Sequence, residues 1–189
     1  MRIISGNFKG LKLNIPLNKK TRPLKDITKE SIFNTLSHSN KFLFYIKNSI
    51  ILDLFSGTGS FGLECLSRNA KKVTFVENDK DALKILFKNV HKIKLMEKTK
   101  IIENSVLNYL SSLEKSNYKF DLIFVDPPYK AKNISELIED IYYKKILKKK
   151  GIVIIHRNKK SDENYPDYFK ILDTREYGVS KIIFGSLIS

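Results

Sequence analysis

The tetrapeptide Asp126-Pro127-Pro128-Tyr129 directly follows the apolar run DLIFV (121–125). Two consecutive prolines can neither continue a sheet interior nor enter a helix interior, so the spacing predicts a rigid loop at a strand end. The chemistry such a loop suits is methylation of an exocyclic amine on a base. That nitrogen is nearly planar because its lone pair is delocalised into the ring. It becomes a useful nucleophile only when hydrogen-bond acceptors favour a pyramidal geometry. The Asp126 carboxylate and the Pro127 carbonyl supply two convergent acceptors, and Tyr129 offers a flat face for an extruded base. Asp126 acts as acceptor and possible proton sink, with no covalent part. The plain alternative is a structural Pro-Pro turn.

A second stretch, DLFSGTGSFG (53–62), matches G-x-G-x-x-G after an apolar run and before a helical pattern. The motif alone is weak, since any tight strand-to-helix turn wants glycine. Asp53 decides the ligand. A pyrophosphate at a helix N-terminus wants amide donors and no nearby carboxylate. S-adenosylmethionine has no phosphate, and its ammonium attracts a carboxylate, so the acid favours it over a nicotinamide dinucleotide. Gly57 and Gly59 let the backbone approach the cofactor closely. Glu77 ends the next apolar run, where an acid accepts ribose hydroxyls. Asn78 and Asp79 beside it cap the following helix, and Asn104, Ser105 and Val106 are expected to edge the adenine.

These residues need strand ends to hold them. Apolar runs occur at 50–55, 72–77, 100–104, 120–126, 151–156, 168–172 and 179–185. Helical patterns fall near 60–68, 79–92, 105–115 and 133–148, the second placing Leu83, Leu86 and Val90 on one face. Strands apolar throughout need both faces covered, which predicts an α/β, doubly wound, mostly parallel sheet between helices. The last two runs have no helix-length connection and form an antiparallel hairpin at the sheet edge. If the first strand neighbours the fourth, the glycine loop and the Pro-Pro loop share one crevice. Ahead of this unit, Arg2 to Pro16 reads as a basic β-hairpin, with Gly6 and Gly10 bracketing a turn. A loop and a helix over 26–37 follow, with Asp26 as N-cap and Phe33 and Leu36 facing inward. The division is residues 1–40 as an N-terminal extension and 41–189 as the main domain.

Composition narrows the class. With 8 glycines and 5 prolines among 189 residues the chain is neither collagen-like nor low-complexity. The single Cys65 can form no intramolecular disulfide and no cysteine-based zinc cluster; it reads as a small core residue. No run approaches a membrane span and the N-terminus is no signal peptide, so a cytoplasmic monomer that binds no membrane is expected. His38, His91 and His156 have no metal-ligand spacing; no metal is expected, and each histidine reads as structural. Net charge is +15, which suits a polyanion, although the cations are mostly lysine in a chain rich in Ile and Asn. Lys9, Lys12, Lys19, Lys20 and Arg22 are candidates for RNA phosphates or plain solvated surface. Phe8 packs on a base or closes the hairpin, and Lys148, Lys149 and Lys150 offset a helix C-terminus.

The stretches RIISGNFKGLKLNIP, TRPLKDITKESIFNTL, LDLFSGTGSFGLECLSRNAKKVTFVENDKDA and IFVDPPY together resemble the bacterial 16S ribosomal RNA guanine-N2 methyltransferases of the RsmD type. The first two distinguish that family from class I methyltransferases in general. The resemblance implies a seven-stranded Rossmann-like fold with an antiparallel last strand and S-adenosylmethionine as donor. It implies as target the N2 amine of a guanine in 16S ribosomal RNA, within a small ribosomal subunit or assembly intermediate. By position it carries cofactor contact onto Asp53, Phe55, Gly57, Gly59 and Glu77, and catalysis onto Asp126, Pro127, Pro128 and Tyr129. It also lays Thr21, Arg22 and Pro23 over the cofactor. The chain departs from the pattern at Ser105, where Asn or Asp is usual, and at Lys29, where arginine is usual. It departs again at IIHRN (154–158), which replaces an acid-containing stretch. The competing readings are a DNA adenine or cytosine amino-methyltransferase, a protein-glutamine methyltransferase, a noncatalytic RNA-binding module and a nicotinamide oxidoreductase. No insertion large enough for a DNA target-recognition domain is present, and protein-glutamine enzymes typically begin the proline motif with Asn.

Overall fold

The computed structural model describes residues 1–16, 24–113, 119–128, 131 and 134–188. Seven strands form one sheet: β1 (Ile50–Leu54), β2 (Lys72–Glu77), β3 (Thr99–Glu103), β4 (Phe120–Val125), β5 (Leu147–Asn158), β6 (Phe169–Tyr177) and β7 (Ser180–Leu187). Their order is β3-β2-β1-β4-β5-β7-β6. Pairing is parallel from β3 through β5, and β7 runs antiparallel to both β5 and β6. The order reverses after β1, which therefore lies between β2 and β4. At that reversal, loops leaving the C-terminal strand ends splay apart and open a crevice.

Among the described residues five α-helices cover the sheet: α1 (Asp26–His38), α2 (Ser60–Ser67), α3 (Lys80–Ile93), α4 (Val106–Ser112) and α5 (Ile134–Tyr143). Strand alternation divides the core in two. Ile51, Leu122, Phe124, Ile154, Ile182 and Phe184 meet α1, α2 and α3 on one face. Leu52, Leu54, Ile123, Val125, Val153 and Ile155 meet α4 and α5 on the other. The expected face of α3 is present, with Leu83, Leu86 and Val90 buried, and Asp79 caps it by accepting from the amides of Asp81 and Ala82. Cys65 is buried in α2, and among the described residues no helix is long and apolar enough to cross a membrane.

Several boundaries differ from expectation. The N-terminal segment forms a single antiparallel bridge between Arg2 and Lys12, not two strands. The Ile3 and Leu13 amides pair across the turn with the Leu11 and Met1 carbonyls, while Ile4 and Ser5 donate to the two Glu64 carboxylate oxygens, at 2.7 and 2.9 Å. Phe8 is half-buried against the core and closes the turn. Asp26 is the first residue of α1, not its N-cap, which is Lys25. The helix expected to reach 148 ends at Tyr143, so Lys148, Lys149 and Lys150 lie in β5 and offset no helix dipole. The chain reverses at Lys145 (φ 53°), Ile146 is buried, and the Lys148 ammonium binds both Asp121 oxygens at 2.8 and 2.9 Å. Burial of Ile146 and that ion pair outweigh the helix propensity of the lysine run.

The N-terminal segment joins α2 through a buried charge cluster. Glu64 and Lys29 are each fully buried, with Lys29 Nζ 3.7 Å from Glu64 Oε2 and Arg68 Nε 2.9 Å from Glu64 Oε1. Lys29 Nζ also donates to the Arg2 carbonyl at 2.6 Å and the Ser60 hydroxyl at 3.2 Å. Burial lowers the Lys29 pKa, while the Glu64 and Asp26 charges oppose the shift.

Helix α2 lies flush on β2 because Gly62 has no side chain: a Cβ there would stand 2.3 Å from the Phe75 ring and 2.7 Å from Val73 Cγ1. Gly62→Ala is therefore expected to cost about 1–3 kcal/mol by overpacking. Urea denaturation checks this as a lower midpoint at unchanged slope.

Candidate active site

The glycine loop crosses from β1 to α2 under unusual backbone demands. Phe55 takes φ 58° although it is not glycine, a conformation that costs an L-residue roughly 1–2 kcal/mol. Gly59 adopts φ 81° as the N-cap of α2, with Leu86 against it. These turns aim the loop amides back toward the strand ends. The Gly57 amide donates to Glu77 Oε2 at 2.7 Å, and Glu77 Oε1 accepts from Asn78 and Asp79 at 2.8 Å each. Three of the roughly four acceptor positions of that carboxylate are thus filled by backbone. One ribose hydroxyl can be accepted without rearrangement, and a second requires exchange with the Gly57 amide.

Asp53 is 1% exposed. Its Oδ2 accepts from the Gly62 amide at 3.0 Å, and its Oδ1 has no hydrogen-bond partner among the described residues. Burial raises its pKa well above the ordinary carboxylate value; the nearby Asp126 and Glu77 add to the rise and the Gly62 amide opposes it. A cleft of about 550 Å³ opens over this carboxyl; among the described residues its acidic lining is Asp53, Glu77, Asp79 and Asp126, against one lysine, Lys25. In a chain of net charge +15, an acidic cleft with an orphaned buried carboxyl oxygen fits a cationic ligand. It does not fit a pyrophosphate.

A second cavity of about 270 Å³ adjoins the cleft and shares Phe55, Glu77 and Asn78 with it. Val106, Leu107, Ile134 and Leu137 give it apolar walls suited to a flat ring, and Asn104 and Ser105 lie at its edge. The Ser105 hydroxyl accepts from the Asn108 amide at 3.2 Å as the cap of α4. Asn78 is exposed at the mouth, with its amide on Glu77.

The adjacency of β1 and β4 brings the Pro-Pro loop to the same cleft. The Asp126 amide donates to the Leu54 carbonyl at 3.3 Å; Asp126 is half-buried, Pro127 buried and Pro128 exposed, and all three line the cleft. Tyr129, Lys19, Lys20, Arg22 and Pro23 lie outside the described residues. Lys9 and Lys12 are exposed on the N-terminal turn, and the Lys12 carbonyl accepts from Lys92 Nζ at 2.7 Å.

Two neighbouring residues of β5 belong to this site although sequence reasoning missed one and left the other aside. His156, expected to be structural, reaches Asp126 with Nδ1 2.8 Å from Oδ1, while its Nε2 lies 2.9 Å from the Ser180 hydroxyl. Arg157 points to the opposite face of the sheet. It donates to the Pro128 carbonyl at 3.2 Å and the Ala131 carbonyl at 2.7 Å, and pairs with Glu163. Adjacent strand residues thus hold the Pro-Pro loop from both sides. The only available signal was the unusual IIHRN stretch itself.

A family model described as "Conserved hypothetical protein 95" matches residues 1–186. The chain is 33% identical over 180 residues to the ribosomal RNA small subunit methyltransferase D of Haemophilus influenzae, covering 95% of this chain and 90% of that one. It belongs to the RsmD family. A protein of the same name from Buchnera aphidicola is 35% identical, covering 84% of this chain and 78% of its own. A solved Haemophilus influenzae structure superposes with TM-score 0.79 at 30% identity, covering 100% of this chain and 98% of that one.

The Asp53 geometry has a measurable consequence. A carboxyl whose pKa rises on folding takes up protons on folding, so its contribution to stability falls as pH climbs from the unfolded value toward the folded one. Asp53→Asn does not titrate. Without ligand, the Tm of Asp53→Asn minus that of wild type should therefore grow with rising pH, each kcal/mol appearing as about 2–4 °C. The Tm increase that S-adenosylmethionine gives the wild type should be lost in the variant. Scanning fluorimetry across pH, with and without ligand, checks both.

Proposed function

We propose that this chain transfers a methyl group from S-adenosylmethionine to the exocyclic N2 amine of a guanine in 16S ribosomal RNA, presented within a small ribosomal subunit or assembly intermediate. The observation that carries the reading is the placement of Asp53 and Asp126 at adjacent strand ends, on one face of the sheet, in one acidic cleft. One carboxylate suits the cofactor's charge and the other an amine.

S-adenosylmethionine, when bound, supplies an electrophilic methyl group on a sulfonium. Asp53 neutralises an ammonium at the base of the cleft, Glu77 accepts a ribose hydroxyl, and the apolar cavity walled by Val106 and Leu137 takes the adenine. The Asp126 carboxylate and the Pro127 carbonyl accept the amino hydrogens of the target base. They draw the nitrogen out of conjugation and direct its lone pair. Asp126 is also placed to receive the proton that the nitrogen loses after the new N–C bond forms. Orientation is the chief contribution, and well-positioned reactants gain about 7–11 kcal/mol over free ones. The exposed Lys9 and Lys12 approach RNA phosphates, which makes binding salt-dependent. Residues 1–40 act as the RNA-facing extension and the protein works as a monomer.

The experiment is tritiated methyl transfer to small subunits lacking the modification, to naked 16S RNA and to duplex DNA, followed by nucleoside analysis. N2-methylguanosine in the ribosomal samples is the expected product; label confined to DNA overturns the target class. Asp126→Ala is expected to lower turnover by about 10²–10⁴-fold while S-adenosylmethionine affinity stays near wild type. Equal loss of binding and turnover would contradict the role given to Asp126.

A further inference from the structure

Alternation along the strands puts Asp126, His156 and Ser180 on the same face of the sheet, beyond Phe124, Ile154 and Ile182. The three side chains form a chain of two contacts: Asp126 Oδ1 to His156 Nδ1 at 2.8 Å, and His156 Nε2 to the Ser180 hydroxyl at 2.9 Å. His156 and Ser180 are buried, at 7% and 6% exposure. An ionised carboxylate has no hydrogen to give, so a 2.8 Å approach of Nδ1 requires the proton on that nitrogen. In the neutral ring Nε2 is then an acceptor and takes the Ser180 hydroxyl proton. Asp126 Oδ2 has no hydrogen bond among the described residues.

Resting on the reading of Asp126 as amine acceptor, we propose that His156 is a positioning residue for methyl transfer. Its Nδ1–H holds Asp126 Oδ1 and thereby fixes the carboxylate plane, reserving Oδ2 for the amino hydrogen, while the Ser180 hydroxyl anchors the other edge of the ring. A carboxylate on a loop otherwise rotates about its last side-chain bond, a soft torsion with a broad, roughly two-fold preference. Acceptors that direct a lone pair must keep their angle as well as their distance. The imidazole lies beneath the cleft and is itself tied at both nitrogens, so it supplies that constraint from a rigid strand. Arg157 cannot substitute for it, because its bonds go to the Pro128 and Ala131 carbonyls and leave the Asp126 side chain untouched.

The test uses the full chain with small subunits lacking the modification. His156→Phe should lower kcat about 10–100-fold, the scale of a small misplacement of a reacting group, with the KM for S-adenosylmethionine unchanged. His156→Asn places an amide donor near the position of Nδ1 and should return most of that loss. Nitrogen NMR of the ligand-free wild type should show the His156 ring protonated on Nδ1. A Phe variant with wild-type kcat, an Asn variant no better than Phe at equal thermal stability, or a wild-type ring with no proton on Nδ1 overturns the proposal. The last measurement needs no variant and stands even if His156→Phe does not fold. Turnover that survives Asp126→Ala refutes the underlying reading of Asp126. Loss of turnover in Asp126→Ala together with full activity in His156→Phe refutes the positioning role alone.

Discussion

Strand β1 must lie between β2 and β4, and the site exists only because it does. Parallel pairing on both sides brings the C-terminal ends of three strands side by side, with Leu54 opposite Val76 and Val125. One step further along each chain come the Phe55 turn, Glu77 and Asp126. Residues separated by more than seventy positions thereby share a cleft with no special linkage between them. Were β4 to pair elsewhere, each loop would keep its local shape and lose its partner. The doubly wound sheet enforces the adjacency through burial, since both its faces are apolar and both are covered by helices.

The parts of this arrangement that are local could be read from the sequence. The glycine loop and Asp126-Pro127 announce themselves because each needs only a strand before it and a backbone restriction within it. The seven strands follow from their apolar runs, and the cap at Asp79 from its place before an amphipathic stretch. What escaped reading depends on distant partners. The segment after Tyr143 consists of residues that favour helices, yet Ile146 finds a core position and Lys148 finds Asp121. The N-terminal turn gives its Ile4 and Ser5 amides to Glu64, some sixty residues away. Beyond the unusual IIHRN stretch His156 gave no signal, because a lone histidine in a strand acquires meaning only when Asp126 and Ser180 are seen beside it.

Charge is distributed against the grain of the composition. The whole chain carries +15, while the cleft gathers Asp53, Glu77, Asp79 and Asp126. A basic exterior attracts a polyanion at long range and an acidic interior admits a small cation at short range; the two fields are compatible because screening confines each to its own distance. A carboxyl left without a partner among the described residues at Oδ1 of Asp53 costs stability in the absence of ligand. It is the price of a site whose charge is completed by what it binds.

The buried cluster beneath the N-terminal segment bears on how chains of this kind can diverge. Lys29 and Glu64 are both sealed from water, and losing one strands the other's charge in the core at a cost of about 3–5 kcal/mol. Independent drift at either position is therefore closed. Exchange of one cation for another at position 29 remains open, as does simultaneous replacement of the pair by apolar residues, but the second route also frees the Ile4 and Ser5 amides that Glu64 now holds. Position 64 is consequently tied to the backbone amides at 4 and 5, which only proline would remove. Over lineages, position 29 should wander among cations while position 64 stays an acid.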